Sequence, residues 1–215
     1  MKFIGIIPAR YASTRFPGKP LAMLGGKPVI QRVYEQVTSV LGEAYVATDD
    51  DRIFKAVESF GGHAVMTRTD HKSGTDRIEE AAIKLQTNAD VIINVQGDEP
   101  FIQKSSPKIV CDVNGYAMYF SRSVIPYIRG KESSDWLLHF PFLKHIGLYA
   151  YRREVLSQIT KLPQSPLELA ESLEQLRWLQ NGYRIKVGLT DVETVGIDTP
   201  EDLERAEQFL KEFKD

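Results

Sequence analysis

The run Phe3-Ile4-Gly5-Ile6-Ile7-Pro8 is apolar at nearly every position, too short for a helix and well suited to a strand buried on both faces. From Pro28 to Leu41 the spacing becomes helical. Val29, Ile30, Val33, Tyr34, Val37, Val40 and Leu41 share one face, and Pro28 suits the first turn. The pattern then predicts a strand over Tyr45–Thr48, a helix from about Arg52 to Phe60, and a short strand over His63–Thr67. A helix follows Ser73-Gly74-Thr75-Asp76, and Val91–Val95 is a fourth apolar strand. This alternation predicts a mostly parallel sheet covered on both faces. Further on, Tyr116–Ser121, Ile146–Tyr151 and Tyr183–Thr190 read as strands, and Thr199-Pro200-Glu201-Asp202 caps a closing helix that runs to about Phe213. The expected class is α/β and Rossmann-like: a mixed, mainly parallel sheet flanked by helices, with an antiparallel, strand-rich addition in the second half. One domain over 1–215 holds it, divided at about 1–103, 107–195 and 196–215.

Ligands of such sheets gather at the carboxyl ends of the strands. Three polar groups of residues follow predicted strand ends, namely the loop from Arg10 to Lys19, the run Asp49-Asp50-Asp51, and Gln96-Gly97-Asp98-Glu99-Pro100. A formal charge of −2 over 215 residues gives no general basic field, which argues against nucleic acid as a partner. An anionic substrate must therefore be held by a local cluster of cations. The single cysteine, Cys111, excludes an intrachain disulfide framework and a multi-cysteine zinc site, and reads as a small hydrophobe near a strand. No apolar run reaches the roughly 20 residues of a membrane span and no signal peptide is evident, so a cytoplasmic location is expected.

Arg10, Arg15 and Lys19, with Ser13 among them, leave a core strand in one short loop. Guanidinium groups bind phosphate bidentately and lysine adds a mobile point charge, so the loop points to a polyanion. It is not a P-loop: Ser13 stands where glycine is needed, and Pro20 where a hydroxyl residue is needed. No G-x-G-x-x-G follows the first strand, which also argues against a nicotinamide dehydrogenase. Asp98 ends a buried strand, where a carboxylate is costly without a partner; a hard divalent cation such as Mg²⁺ would supply one. Asp198 offers a second carboxylate beside a helix start, where ordinary capping is the competing role. Capping also accounts for Ser73 and Asp76 but leaves Gly74 and Arg77 unexplained.

Taken together, Ile7–Arg10 through Pro17-Gly18-Lys19, Ser73–Arg77 and Gln96–Pro100 resemble the sugar-acid cytidylyltransferases. Gly115–Arg122, His145–Arg152, Leu173–Arg177 and Gly196–Asp202 extend the resemblance over nearly the whole chain, and within the family it is to the branch acting on 3-deoxy-manno-octulosonate (Kdo). The resemblance implies a nucleotidyltransferase, GT-A-like fold. It also implies a Mg²⁺-dependent reaction of CTP with Kdo that gives CMP-Kdo and diphosphate for lipopolysaccharide synthesis, carried out by a homodimer. Arg10, Lys19 and Asp98 would be catalytic. Ala9, Arg10, Ser13, Arg15, Lys19, Ser73, Gly74, Asp76 and Gln96 would bind the nucleotide. Arg77, His145, Tyr149, Glu174 and Gln175 would surround the sugar acid, and Asp98 and Asp198 would hold magnesium. Competing readings are a sialic acid or sugar-phosphate nucleotidyltransferase, and a non-catalytic nucleotide-binding regulator. One departure from the pattern stands out. Between Ile102 and Pro107 the family carries a further helix and strand, whereas here Gln103–Ser106 joins the two halves directly, as a shortened form or an omitted segment.

Overall fold

A computed structural model of the chain describes residues 1–12, 16–96, 108–191, 197 and 199–212. In chain order the elements are β1 (Phe3–Ala9), β2 (Met23–Leu24), β3 (Lys27–Pro28), α1 (Val29–Leu41), β4 (Ala44–Thr48), α2 (Asp51–Ser59), β5 (Ala64–Met66), α3 (Gly74–Lys84) and β6 (Val91–Asn94). They continue with β7 (Lys108–Cys111), β8 (Ala117–Ser121), α4 (Trp136–His139), β9 (Leu143–Lys144), β10 (Tyr149–Arg152), α5 (Arg153–Ile159), α6 (Pro166–Glu171), α7 (Gln175–Gln180) and α8 (Pro200–Glu212). The chain forms two compact units: 1–102 with 147–160 and 193–215, and 103–146 with 161–192.

In the first unit a five-stranded sheet has the order β10-β6-β1-β4-β5. Strand β1 runs parallel to both neighbours, β5 runs parallel to β4, and β10 closes the edge antiparallel to β6. Ile4, Ile6 and Ile7 of β1 are fully buried, each contributing about 1.5–3 kcal/mol of hydrophobic stabilisation. Helix α1 lies close against this strand: a Cβ added at Gly5 would collide with Val37 Cγ1 and force the helix side chain or the strand to shift. Val29, Ile30, Val33 and Val37 of α1 join Ile7, Ala9, Val46 and Ile53 in one core. Ile197 and Ala206 belong to the same core, which draws the last helix onto this unit.

The second unit holds an antiparallel sheet of order β8-β7-β9. Leu173 and Leu176, beside and within α7, pack with Ile109 and Phe120. The buried Arg177 guanidinium ion-pairs with Glu168.

Two expectations change here. The Ile146–Tyr151 run begins as a strand only at Tyr149, and it pairs with β6 of the first sheet rather than joining the second-half addition. Tyr183–Thr190 is not a strand. The Ile185 carbonyl accepts from Ala117 N–H and the Gly115 carbonyl from Val187 N–H, leaving one isolated bridge between Tyr116 and Lys186. Gly188 follows at once and Leu189 is exposed, so the segment after Val187 has no apolar face turned to the core. Among the described residues no helix is long and apolar enough to cross a membrane.

Candidate active site

The sheet register brings the strand ends together. Ile6 lies opposite Asn94 and Ala9 opposite Thr48, so the chain leaves β1, β4 and β6 at one edge. Arg10, Asp49–Asp51 and Gln96 therefore start from neighbouring positions, as the strand-end reading expects. Tyr149 joins them because its backbone pairs with Asn94. The Asn94 side chain is buried here, and its Oδ1 lacks a hydrogen-bond partner among the described residues.

Helix α3 begins at the same edge. Ser73 Oγ accepts from Asp76 N–H at 3.1 Å and Asp76 Oδ2 accepts from Ser73 N–H at 3.2 Å, a reciprocal capping box. A Cβ on Gly74 would touch Pro8 Cγ at 3.4 Å, which places the helix start directly against the end of β1. The capping box satisfies only part of the first turn. The helix dipole there favours a polar or anionic group beside Ala9 and Arg10.

The cationic loop closes on itself through a 2.9 Å hydrogen bond from Gly18 N–H to the Tyr11 carbonyl. Arg10 is exposed, whereas Lys19 is only 7% exposed. Lys19 is therefore not the freely swinging charge that the sequence suggests. Its stem is packed, and its ammonium has little freedom. Ser13, Arg15, Asp98 and Asp198 lie outside the described residues.

Arg77 sits inside the protein. Its side chain is 1% exposed, and its guanidinium donates to Asp49 Oδ2 at 2.7 Å, to Thr67 Oγ1 and to the Arg68 carbonyl. Thr67 Oγ1 in turn donates to the Thr48 carbonyl at 3.0 Å. This network ties α3 to the ends of β4 and β5. The resemblance assigned Arg77 to the sugar acid, but its donors here are engaged by the protein itself. Asp49 was visible in the Asp49–Asp51 run, yet its partner lies 28 positions away and no local pattern pairs them.

In the second unit His145 stands edge-on to Phe120, with centroids 5.2 Å apart. Phe120 packs with Leu173 and Leu176, which bracket Glu174 and Gln175 in sequence. The three residues assigned to the sugar acid in this unit therefore border one small core. Burial pushes the His145 imidazole down to about 4, so at neutral pH it is uncharged and offers a hydrogen bond rather than a cation. Glu174 occupies the N-cap position of α7. Gln175 is 5% exposed, and its Nε2 has no hydrogen-bond partner among the described residues.

The sequence pattern of cytidylyltransferases matches residues 4–112 and 105–185, two segments that overlap over 105–112. A 3-deoxy-manno-octulosonate cytidylyltransferase of Bacteroides thetaiotaomicron is 59% identical over 98% of this chain and 99% of its own length. The chain belongs to the cytidylyltransferase family. A relative of the same name from Thermodesulfovibrio yellowstonii is 47% identical, over 99% of this chain and all of its own. A solved structure titled as CMP:2-keto-3-deoxy-manno-octonic acid synthetase complexed with CTP superposes with a TM-score of 0.90. It is 41% identical and covers 99% of this chain and 100% of that one.

The sequence reading missed one feature of this cytidylyltransferase site. Tyr11, inside the cationic loop, stacks under the Arg52 guanidinium, whose carbon lies 3.3 Å from the ring centroid. The only sequence signal was an aromatic residue among small and charged ones.

Proposed function

We propose that the chain transfers the cytidylyl group of CTP to Kdo, giving CMP-Kdo and diphosphate, in the supply of activated sugar for lipopolysaccharide. One observation carries this reading. The cationic loop, the start of α3 and the exit of β6 share one sheet edge, in a chain matched end to end by relatives named for this reaction. The anomeric hydroxyl of the sugar acid attacks the α-phosphorus in line. Its oxygen–phosphorus bond forms as the bond to diphosphate breaks, and the hydroxyl proton passes to solvent water. Arg10, Lys19 and Arg15 neutralise the charge that accumulates on the departing diphosphate, and Ser13 and Ala9 line the same loop. Ser73, Gly74, Asp76 and Gln96 face the cytidine. Tyr149, His145, Glu174 and Gln175 hold the sugar acid, His145 as a neutral hydrogen-bonding group. Arg77 serves from within, by fixing Asp49 and the start of α3.

Magnesium suits the remaining donors. Thr199 N–H donates to Asp202 and Asp202 N–H to Thr199 Oγ1, so the cap of α8 is complete without Asp198. Among the described residues no cluster of three or more His, Cys, Asp or Glu is arranged for a metal. Asp98 and Asp198 would be the protein's ligands, and the ion would supply charge neutralisation at phosphate oxygens.

A cytoplasmic location and a homodimer belong to the same reading. The dimer is supported by an exposed apolar stretch of the second unit. Tyr127, Leu137 and Leu138 are 71–83% exposed, and Trp136 links Tyr127 to Phe142 through ring contacts of 5.2 and 6.2 Å. Such a patch on a monomer marks an interaction site.

The test is direct. Protein incubated with CTP, Kdo and Mg²⁺ should yield CMP-Kdo by mass spectrometry, and should yield no CMP-sugar from N-acetylneuraminate. The opposite preference makes it a sialic acid enzyme. CTP binding without turnover of either acid makes it a regulator.

A further inference from the structure

Tyr11 is held on two sides. On one side the Arg52 guanidinium lies 3.3 Å from its ring centroid. That guanidinium is itself fixed, since its Nε donates to Asp50 Oδ1 at 2.9 Å and its Nη2 to Asp50 Oδ2 at 2.6 Å. Asp50 is anchored in turn, because its Oδ1 also caps α2 by accepting from Arg52 N–H at 2.9 Å. On the other side lies Gly18, whose φ of +73° is open to glycine. A Cβ there would come within 3.0–3.1 Å of Tyr11 Cε2, Cζ and the hydroxyl oxygen. Asp50, Arg52, Tyr11 and Gly18 thus form one stack, running from the end of β4 to the residue just before Lys19.

We propose that Tyr11 and Arg52 are positioning residues, which hold Arg10 and Lys19, at the two ends of the cationic loop, in the arrangement that receives the triphosphate. This rests on the reading of that loop as the triphosphate holder. Arg52 would not meet phosphate itself: its fork is taken by Asp50 and its plane by the tyrosine ring. Without the clamp, Arg10 and Lys19 keep their charges but lose their fixed spacing. Misplacement by about an ångström is enough to cost a large factor in rate.

The experiment is steady-state kinetics on Tyr11→Ala, Tyr11→Phe, Arg52→Ala, the double variant Tyr11→Ala/Arg52→Ala, and Lys19→Ala, with melting temperatures measured alongside. We expect Tyr11→Ala to lower kcat/KM for CTP by about tenfold or more. We expect Arg52→Ala to lower it by about two- to fivefold, in line with one solvent-exposed cation–π contact. KM for Kdo should stay within about twofold in both, which a general loss of structure would not produce. Tyr11→Phe keeps the ring face and should behave as the parent. The double variant should be no worse than Tyr11→Ala, because Arg52 acts only through the ring. Losses that multiply would show that Arg52 meets phosphate directly, and would overturn the clamp. So would a Tyr11→Ala variant with normal CTP kinetics while Lys19→Ala is impaired. Normal kinetics in Lys19→Ala would instead remove the loop from the triphosphate site, and the clamp with it.

Discussion

The buried Asp49–Arg77 pair can be tested by removing each partner and then both. The Arg77 side chain is 1% exposed and Asp49 15%, and their contact is 2.7 Å. Asp49→Ala leaves a guanidinium inside the protein with Thr67 and the Arg68 carbonyl as its remaining acceptors. Breaking one side of a buried pair costs about 3–5 kcal/mol, a large share of a domain's total stability. Asp49→Asn keeps an acceptor oxygen but loses the charge, so about 1–3 kcal/mol is expected. Replacing both residues with apolar ones of similar size, Asp49→Leu/Arg77→Met, should recover most of the loss, because the desolvation penalty goes with the pair. Urea unfolding at pH 7, followed by circular dichroism, reads all three together with the single variants Asp49→Leu and Arg77→Met. A cost below about 1 kcal/mol for Asp49→Ala would refute the reasoning, since a truly buried charge cannot be orphaned so cheaply. A double variant showing the sum of both single losses would refute it as well. Kinetics on the stable double variant decide the functional question. A normal KM for Kdo keeps Arg77 as a brace. A KM raised many-fold in a folded protein would return its guanidinium to the sugar carboxylate.

Further outcomes follow from the same structure. Lys19→Ala should lose about 2–4 kcal/mol of transition-state stabilisation in kcat/KM for CTP, as for a preorganised donor at a developing charge; an unchanged value would remove Lys19 from the reaction. His145 is pushed down to about 4 in the folded protein from an ordinary 6.5. The unfolded chain therefore binds a proton that the folded one refuses as pH falls from 6.5 toward 4, and stability is lost in that window. At pH 5 this amounts to about 2 kcal/mol, so His145→Asn should flatten the acid side of the stability curve; parallel curves for variant and parent would contradict the burial argument. Leu137→Glu with Leu138→Glu should shift the protein from dimer to monomer in analytical ultracentrifugation, whereas a parent that sediments as a monomer at high concentration would remove the dimer.

The first unit was the more legible part of the chain because its elements are long and periodic. Val29–Leu41 carries an apolar face that only a helix can bury in one direction, and Ile4, Ile6 and Ile7 fit only a strand covered on both sides. Such patterns also fixed the functional edge, since parallel strands must end together. The second unit was harder to read. Its helices span four to six residues, barely one to two turns, too few to show a helical repeat of apolar positions. The destination of β10 was also hidden. Alternation along Tyr149–Arg152 announces a strand but not which sheet accepts it. At the site, residue types announced phosphate chemistry, while the Asp49–Arg77 and Tyr11–Arg52 pairings depend on contacts made only once β1, β4 and α3 are assembled. Burial likewise revised one charge and set another: Lys19 is packed rather than mobile, and His145 is neutral at neutral pH.

The central claim is that this edge handles CTP and delivers its cytidylyl group to one sugar acid. The most direct measurement is diphosphate release with each of the four nucleoside triphosphates, offered in turn with Kdo and with N-acetylneuraminate in the presence of Mg²⁺. The account predicts steady release from CTP with Kdo and background rates from every other combination. Background release from CTP with Kdo, or faster release from another pairing, would contradict it.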